Sequence, residues 1–140
     1  MGVAYMIYVN RQEAEKITGV SGSMGKEKEL LIALAKEGPK TCVITDGGSG
    51  SYAYDGEKFY KAGVLPVDAY ERTGAGDAFG SGCLSALVKG KGWGEALLWG
   101  TLNSASVIGY VGPQRGLLKE SEIPIWLERA KSCNLEVKEI

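Results

Sequence analysis

The amino-acid sequence predicts an α/β fold, a mostly parallel sheet with flanking helices and one β-hairpin. Three observations carry this prediction. A β-branched apolar run, TCVIT at 41–45, follows a segment at 26–38 whose apolar residues recur at helical spacing. Another apolar run of strand length stands at 3–9, ahead of a short helical pattern. SYAY and KFYK flank Asp55-Gly56, which is a hairpin signal. A succession of strand, helix and strand favours parallel pairing, because the helix carries the chain back across the sheet.

The first strand is predicted over 3–9 and the first helix over 10–19, NRQEAEKITG. Asn10 is of the residue type that caps a helix, and Glu13 stands three residues later, as in a capping box. Gly19 then ends the pattern, because glycine commonly occupies the position that closes a helix.

The second helix is predicted over 26–38, because its apolar residues fall on one face and Gly38-Pro39 would end it. The members of that face are Leu30, Leu31, Leu34 and Ala35. Residues 46–50, DGGSG, are expected to form a loop between the strand at 41–45 and the hairpin.

Three further helices are predicted in the second half of the chain. The first follows the segment TGAGD, and its apolar face is formed by Phe79, Cys83, Ala86 and Leu87. Residues 93–112 are mostly apolar, which predicts a largely buried helix. Residues 121–132 predict a short helix capped by Ser121. With no repeat or linker between these elements, residues 1–140 are predicted to form a single domain.

The composition excludes several classes of function. With no histidine, the chain can form neither a Ser-His-Asp triad nor an HExxH zinc site. A net charge of −1 gives no basic surface for nucleic acid. No segment approaches the ~20 apolar residues that a membrane-spanning helix needs. The three cysteines are widely spaced, which favours reduced, buried thiols and a cytoplasmic location.

The stretch TGAGD combines glycine with a carboxylate at the start of a helix. The first N–H groups of a helix lack partners within it, and the helix dipole makes that end positive. Gly74 and Gly76 let the backbone approach a ligand closely, so the stretch predicts an anion site suited to phosphate. Asp77 would act there as a weak base in phosphoryl transfer, which needs little early proton removal. The alternative is a tight loop in which Asp77 only complements the dipole.

The longer segment ERTGAGDAFGSG resembles the second signature of the ribokinase-like, or PfkB, carbohydrate kinases, written D-x-T-G-A-G-D-x-F. The resemblance implies that Asp77 is the catalytic base. It also implies that the N–H groups of Gly74, Ala75 and Gly76 form the anion hole. The fold it implies is a ribokinase-like α/β domain, of which this chain holds the C-terminal, nucleotide-binding portion.

Two segments of the first half resemble the same family. VNRQEAEKITG resembles its N-x-x-E segment, which implies that Asn10 and Glu13 help to place Mg²⁺ through water. A plain capping box would explain the same spacing. VITDGGSGSYAY resembles the family's strand followed by T-x-G-x-x-G, which implies nucleotide contacts for Thr45, Gly47 and Gly50. The alternative there is a simple loop between a strand and a hairpin.

Two segments of the second half extend the resemblance. LNSASV resembles the helix segment whose Asn lies against the adenine, which implies that role for Asn103. The alternative is a buried, hydrogen-bonded residue at a helix contact. GYVGPQRG resembles the loop that, with the start of the TGAGD segment, binds a monovalent cation in many members. Glu71 stands where the family has Asp in that cation site, so the use of K⁺ stays open.

The function implied is ATP-dependent phosphotransfer to a hydroxymethyl group of a sugar or nucleoside, with ATP and Mg²⁺. The family's N-terminal half, which supplies most substrate contacts and a lid, has no counterpart in the sequence. We therefore expect low activity from the chain alone, and either a missing N-terminal half or self-association. A non-catalytic nucleotide-binding or assembly module is the alternative. A dinucleotide oxidoreductase is disfavoured, because GxGxxG does not follow the first strand.

Overall fold

The computed structural model describes residues 6–21, 25–65, 74–108 and 118–140. The chain divides into two compact units, one formed by residues 1–61 with 139–140 and the other by residues 62–138. A β-sheet with two helices builds the first unit, and three helices build most of the described part of the second.

The sheet, most of which belongs to the first unit, is mixed. Its strands are β1 (Met6–Asn10), β2 (Thr41–Thr45), β3 (Ser51–Tyr54), β4 (Phe59–Ala62) and β5 (Val137–Glu139). They lie in the order β1-β2-β3-β4-β5, and the last strand brings residues 139–140 into this unit. β1 and β2 pair in parallel, whereas β2 and β3 pair antiparallel. The turn after β3 is closed by Asp55, whose Oδ1 accepts hydrogen bonds from the N–H groups of Glu57 and Lys58.

Two helices connect β1 to β2, namely α1 (Arg11–Thr18) and α2 (Glu27–Lys36). The predicted capping box is present at the start of α1. Asn10 Oδ1 accepts from the Glu13 N–H at 2.8 Å, and Glu13 Oε2 accepts from the Asn10 N–H at 2.9 Å. Gly19 follows α1 with a φ of 71° and donates its N–H to the Glu15 carbonyl, which confirms the predicted end of the helix.

The core of the first unit forms where α2 packs on the sheet. Its buried members are Ala14, Leu30, Leu31, Leu34, Cys42, Ile44 and Tyr52. Three of them are the leucines predicted to share one face of α2, and Ala35 is half-buried against the same cluster. Each fully buried leucine contributes about 1.5–3 kcal/mol relative to an exposed one, so this face holds α2 against the sheet.

The second unit is built on α3 (Ala75–Val88), α4 (Trp93–Ile108) and α5 (Ile123–Ser132), the last preceded by a 3₁₀ turn (Glu120–Glu122). α3 and α4 approach each other closely. A β-carbon at Gly82 would lie 2.7 Å from the Trp99 carbonyl oxygen, and one at Gly100 would lie 2.9 Å from the Phe79 carbonyl oxygen. Glycine is therefore required at both positions for this helix separation.

Most of α4 is buried, as its apolar sequence predicts. The described part of this helix ends at Ile108, so the predicted residues 109–112 lie outside the described ranges. In the ranges that the structure describes, no helix combines the length and the apolar character needed to cross a bilayer.

Two features near the C-terminus differ from the expectation. The prediction that Ser121 caps the last helix is wrong, because Glu122 occupies the N-cap of α5 and the 3₁₀ turn precedes it. That turn is held by the Lys119 N–H, which donates to Glu122 Oε1 at 3.0 Å. β5 was not predicted, since its sequence is short and polar. Next to this strand, the N–H of Ile140 donates to the Phe59 carbonyl at 2.9 Å.

The cysteines are unpaired thiols in two different environments. Cys42 and Cys83 are buried, and burial raises the pKa of each thiol to about 11. Both therefore stay protonated near neutral pH, whereas Cys133 is exposed. The prediction of buried thiols is confirmed for Cys42 and Cys83 and is wrong for Cys133.

The close approach of α3 and α4 can be tested with Gly82→Ala. We expect this variant to lower the free energy of unfolding by about 1–3 kcal/mol, because the added methyl group overlaps the Trp99 carbonyl. Urea unfolding measures the change. The matched control is Gly94→Ala in α4, because no atom lies within 4 Å of its β-carbon position and alanine favours the helix. Equal unfolding midpoints for the two variants would contradict the close packing.

Candidate active site

The N-terminus of α3 has the geometry of an anion-binding site. Gly74 precedes the helix with a φ of 84°, a left-handed conformation that glycine adopts at little cost. Its carbonyl accepts the first helical hydrogen bond from the Ala78 N–H at 2.9 Å. Gly74 has no side chain to cap the helix, and the backbone N–H groups of a first helical turn point out of the end of the helix. This end is therefore positive and suited to an anion.

Asp77 is exposed in the same first turn. The next two residues, Ala78 and Phe79, are only 1% and 5% exposed, so the backbone of this turn is anchored in the interior. A solvent-facing carboxylate thus shares one anchored turn with backbone N–H groups. That combination is what a phosphoryl-transfer site requires, with donors for the phosphoryl oxygens and a base for the attacking hydroxyl.

Asn103 is connected to this turn through its side chain. It lies in α4, is 6% exposed, and donates from Nδ2 to the Ala78 carbonyl at 2.8 Å. Its Oδ1 accepts from the Leu118 N–H at 2.9 Å. The structure therefore shows the buried, hydrogen-bonded role that was the alternative from sequence, and the contact of Asn103 with adenine stays a prediction.

In the first unit, the predicted ligand-binding residues lie at the carboxyl ends of β1 and β2. Asn10 and Thr45 end these two strands and are register partners in the parallel pair. Glu13 is joined to Asn10 by the capping box. In open α/β sheets, ligands bind outside the carboxyl ends of parallel strands, so Asn10, Glu13 and Thr45 lie at an edge suited to a ligand.

The loop after β2 is short and internally bonded. The Asp46 N–H donates to the Gly50 carbonyl at 2.8 Å, and the Ser49 N–H donates to the Asp46 carbonyl at 2.9 Å. Gly50 is buried with a φ of 96°, which explains why glycine ends the T-x-G-x-x-G pattern. Among the described residues, apart from its two chain neighbours, none has an atom within 4 Å of the position a β-carbon would take at Gly47, so this side of the loop is open.

Arg11 and Asp46, which were not predicted from the sequence, join the two strand ends. Arg11 Nε lies 3.4 Å from Asp46 Oδ1. Arg11 is the first residue after β1 and Asp46 the first after β2. That position, immediately beyond the end of a predicted parallel strand, is the signal by which both could have been found.

Tyr52 and Glu27 form a second polar contact of the first unit. The Tyr52 hydroxyl donates to Glu27 Oε1 at 3.3 Å. Burial, with the neighbouring Glu27 carboxylate, raises the pKa of Tyr52 to about 12. The tyrosine is therefore a neutral hydrogen-bond donor over the physiological range and no candidate for a base.

The oxygen atoms of Asn10 and Glu13 fit the expected indirect role toward Mg²⁺. Each cap hydrogen bond engages one oxygen, and the carboxylate of Glu13 has a second one that can accept from water. Mg²⁺ prefers oxygen ligands and keeps several waters, so a water-bridged position is compatible with the cap. Within the described ranges, no three acidic or cysteine side chains converge as a direct metal site. Glu71 and GYVGPQRG, predicted for a monovalent cation, lie outside the described residues.

The second unit also contains a cavity of about 490 Å³. It is lined by Trp99 and Ile123 and by an ion pair in which Lys89 Nζ lies 2.9 Å from Glu120 Oε1. Lys89 follows the C-terminal end of α3, opposite to the end that carries Asp77, so the cavity is not the anion site.

Residues 1–120 match the model of the pfkB family carbohydrate kinases. The chain belongs to this family. The match includes every residue predicted for the site, from Asn10 to Asn103. The resemblance of ERTGAGDAFGSG to the PfkB signature is thereby confirmed, while the roles of the individual residues stay predictions.

Individual PfkB relatives are similar over most of the chain. The 5-dehydro-2-deoxygluconokinase of Shouchella clausii is 33% identical over 129 residues, which cover 91% of this chain and 39% of that protein. Arabidopsis thaliana ribokinase, solved with ribose and ATP, gives a TM-score of 0.82 at 22% identity and covers 88% of this chain and 40% of that one. A ribokinase II from E. coli, solved with ATP and Mg²⁺, gives a TM-score of 0.80 at 22% identity and covers 89% and 39%. The ribokinase-like fold is confirmed, and the chain spans about two fifths of the length of these relatives.

The structural role of Asn103 gives a testable prediction. We expect Asn103→Ala to lower the free energy of unfolding by about 1–3 kcal/mol, because the buried Ala78 carbonyl and Leu118 N–H lose their amide partner. Denaturant unfolding measures the loss. Ser104→Ala, at the adjacent half-buried position of α4, is the control and should change stability little. An unchanged midpoint for Asn103→Ala would show that the two hydrogen bonds do not hold the turn.

Proposed function

We propose that this chain carries the phosphate-donor site of an ATP-dependent kinase that phosphorylates a hydroxymethyl group of a sugar or nucleoside. The observation that supports this most directly is the first turn of α3. There an exposed carboxylate, Asp77, shares one anchored turn with the N–H groups that follow Gly74. Membership of the pfkB family supports the same reaction class.

In the proposed reaction, the oxygen of the acceptor hydroxyl attacks the γ-phosphorus of ATP as the bond to the β,γ-bridging oxygen breaks. The N–H groups of Gly74, Ala75 and Gly76 stabilise negative charge on the transferring phosphoryl group. Asp77 orients the hydroxyl and accepts its proton late, because the hydroxyl does not have to lose its proton early in a reaction with a loose transition state. The products are ADP and a phosphate ester.

The remaining predicted residues are assigned to the nucleotide and its metal ion. Thr45, Gly47 and Gly50 are proposed to border the nucleotide, and Asn103 to lie near the adenine. Asn10 and Glu13 are proposed to hold waters of Mg²⁺, which neutralises phosphate charge when bound. A reduced, cytoplasmic setting belongs to the same proposal, and the buried thiols Cys42 and Cys83 are compatible with it.

A non-catalytic nucleotide-binding or assembly module is the second candidate. It is favoured by the roles proposed above, since every predicted residue except Asp77 is assigned to the nucleotide, its phosphates or a metal ion. Positioning of two reactants is worth about 7–11 kcal/mol, so a chain without acceptor contacts would bind ATP but turn over slowly. Exposed Leu84 and Val88, one turn apart on α3, support self-association in either case.

Nucleotide preference tests the proposal as a whole. We expect ATP and ADP with Mg²⁺ to bind more tightly than NAD, because the predicted contacts fit phosphates at a helix N-terminus and not a dinucleotide fingerprint. Titration calorimetry with each nucleotide measures this. A clear preference for NAD would contradict the kinase proposal, whereas ATP binding without transfer to any sugar or nucleoside would favour the module.

Asp77→Asn tests the catalytic role. We expect the dissociation constant for ATP with Mg²⁺ to change little, or to fall slightly as repulsion of the phosphates is removed. In a full-length kinase that contains this segment, the rate of phosphotransfer should fall by about 10²–10⁴-fold, because Asn cannot accept the proton of the acceptor. Steady-state kinetics and calorimetry on the same variant measure the two effects.

The matched control for Asp77→Asn is Glu95→Gln. Glu95 is also an exposed acid in the first turn of a helix, α4, so its loss removes a similar interaction with the helix dipole. It should leave phosphotransfer unchanged. If Asp77→Asn also turned over at the parental rate, Asp77 would be only a partner of the helix dipole.

A further inference from the structure

Arg11 and Asp46 form a charged bridge across the ends of the two parallel strands. Asn10 and Thr45 are register partners at the carboxyl ends of β1 and β2, and the two charged residues follow them directly. Arg11 Nε lies 3.4 Å from Asp46 Oδ1 and 3.9 Å from Glu15 Oε1. The bridge therefore lies at the sheet edge where open α/β folds bind their ligands.

Solvent reaches this ion pair less than it reaches an ordinary surface pair. The side chains of Arg11 and Asp46 are 38% and 20% exposed, so solvent and salt screen the pair only in part. Arg11 Nε itself is buried and makes no hydrogen bond of good geometry, so the guanidinium is held here by charge. By contrast, both side chains of the Lys131–Glu128 ion pair in α5 are about three-quarters exposed.

Asp46 also fixes the loop that follows it. Its N–H donates to the Gly50 carbonyl, and its carbonyl accepts from the Ser49 N–H. Displacement of Asp46 would therefore move the whole segment 46–50. Arg11 is in turn the first residue of α1, next to the capping box of Asn10 and Glu13. One ion pair thus links the turn proposed to place Mg²⁺ to the loop proposed to border the nucleotide.

We propose that the Arg11–Asp46 ion pair is a clamp that positions the 46–50 loop for the nucleotide, with Arg11 acting through Asp46 rather than on the phosphates. This inference rests on the proposed function, since the ligand is ATP with Mg²⁺. The rival is a direct contact between Arg11 and a phosphate, in which Asp46 competes for the guanidinium. The two differ in the sign of the effect expected at Asp46.

The experiment is a double-mutant cycle on the dissociation constant for ATP with Mg²⁺, measured by calorimetry on the 140-residue chain. The clamp predicts that Arg11→Gln and Asp46→Asn each weaken binding by about 3- to 10-fold, and that the double variant is no weaker than either. Arg11→Lys should recover part of the loss, because it keeps the charge but not the planar geometry. Unchanged or tighter binding by Asp46→Asn, with a loss in Arg11→Gln, would overturn the clamp in favour of direct phosphate contact.

Three measurements separate the clamp from general destabilisation and from failure of the proposed function. Both clamp variants should remain folded at the temperature of the binding measurement, as their unfolding midpoints will show, and Glu128→Gln, which breaks the exposed control pair, should leave ATP binding unchanged. Hydrogen exchange at the Ser49 and Gly50 N–H groups, without nucleotide, should be several-fold faster in both clamp variants. If the unaltered chain bound no nucleotide, the proposed function would fail, and unaltered exchange at these N–H groups would separately overturn the clamp.

Discussion

The close contact between α3 and α4 is the constraint on which the candidate active site of the second unit depends. Because Gly82 and Gly100 have no side chains, a carbonyl oxygen of each helix can lie 2.7 or 2.9 Å from the position that a β-carbon of the other helix would take. At this separation Asn103 reaches the Ala78 carbonyl at 2.8 Å. That carbonyl belongs to the turn that carries Asp77. The position of the carboxylate is therefore set by residues that do not touch the transferring phosphoryl group in the proposed reaction, because a packed helix pair has few alternative arrangements.

The first unit shows how folding and ligand binding can use the same atoms. Asn10 and Glu13 satisfy two N–H groups that would otherwise lack partners at the start of α1. The same two hydrogen bonds hold their side chains beside the end of β1, where a ligand of the sheet would lie. The cap and the proposed magnesium role are thus compatible rather than competing explanations. A substitution there would change helix stability and ligand binding together unless the new side chain also caps.

The sequence predicted best those features whose partners are close along the chain. The capping box of Asn10 and the end of α1 at Gly19 depend on spacing of a few residues, and both are confirmed. Asn103 bonds to groups 25 and 15 residues away, so only the tertiary structure could identify its partners. The ion pair of Arg11 and Asp46 likewise requires that β1 and β2 lie side by side. The prediction of a cap at Ser121 failed for a local reason. A 3₁₀ turn over Glu120–Glu122 precedes α5, so Glu122 occupies the N-cap position of this helix.

Backbone groups make up most of the candidate anion site, so the site depends on the conformation of the turn more than on particular side chains. Arabidopsis ribokinase shares 22% identity with the chain, yet its fold matches at a TM-score of 0.82. An anion hole of N–H groups constrains only the conformation of the turn, a glycine at its start and the acid at Asp77. Such a site recognises a phosphoryl group but cannot distinguish one sugar from another, because discrimination needs side chains shaped to the acceptor. On the proposed function, the anion site therefore carries the phosphate chemistry, and the choice of acceptor depends on the side chains that contact the acceptor.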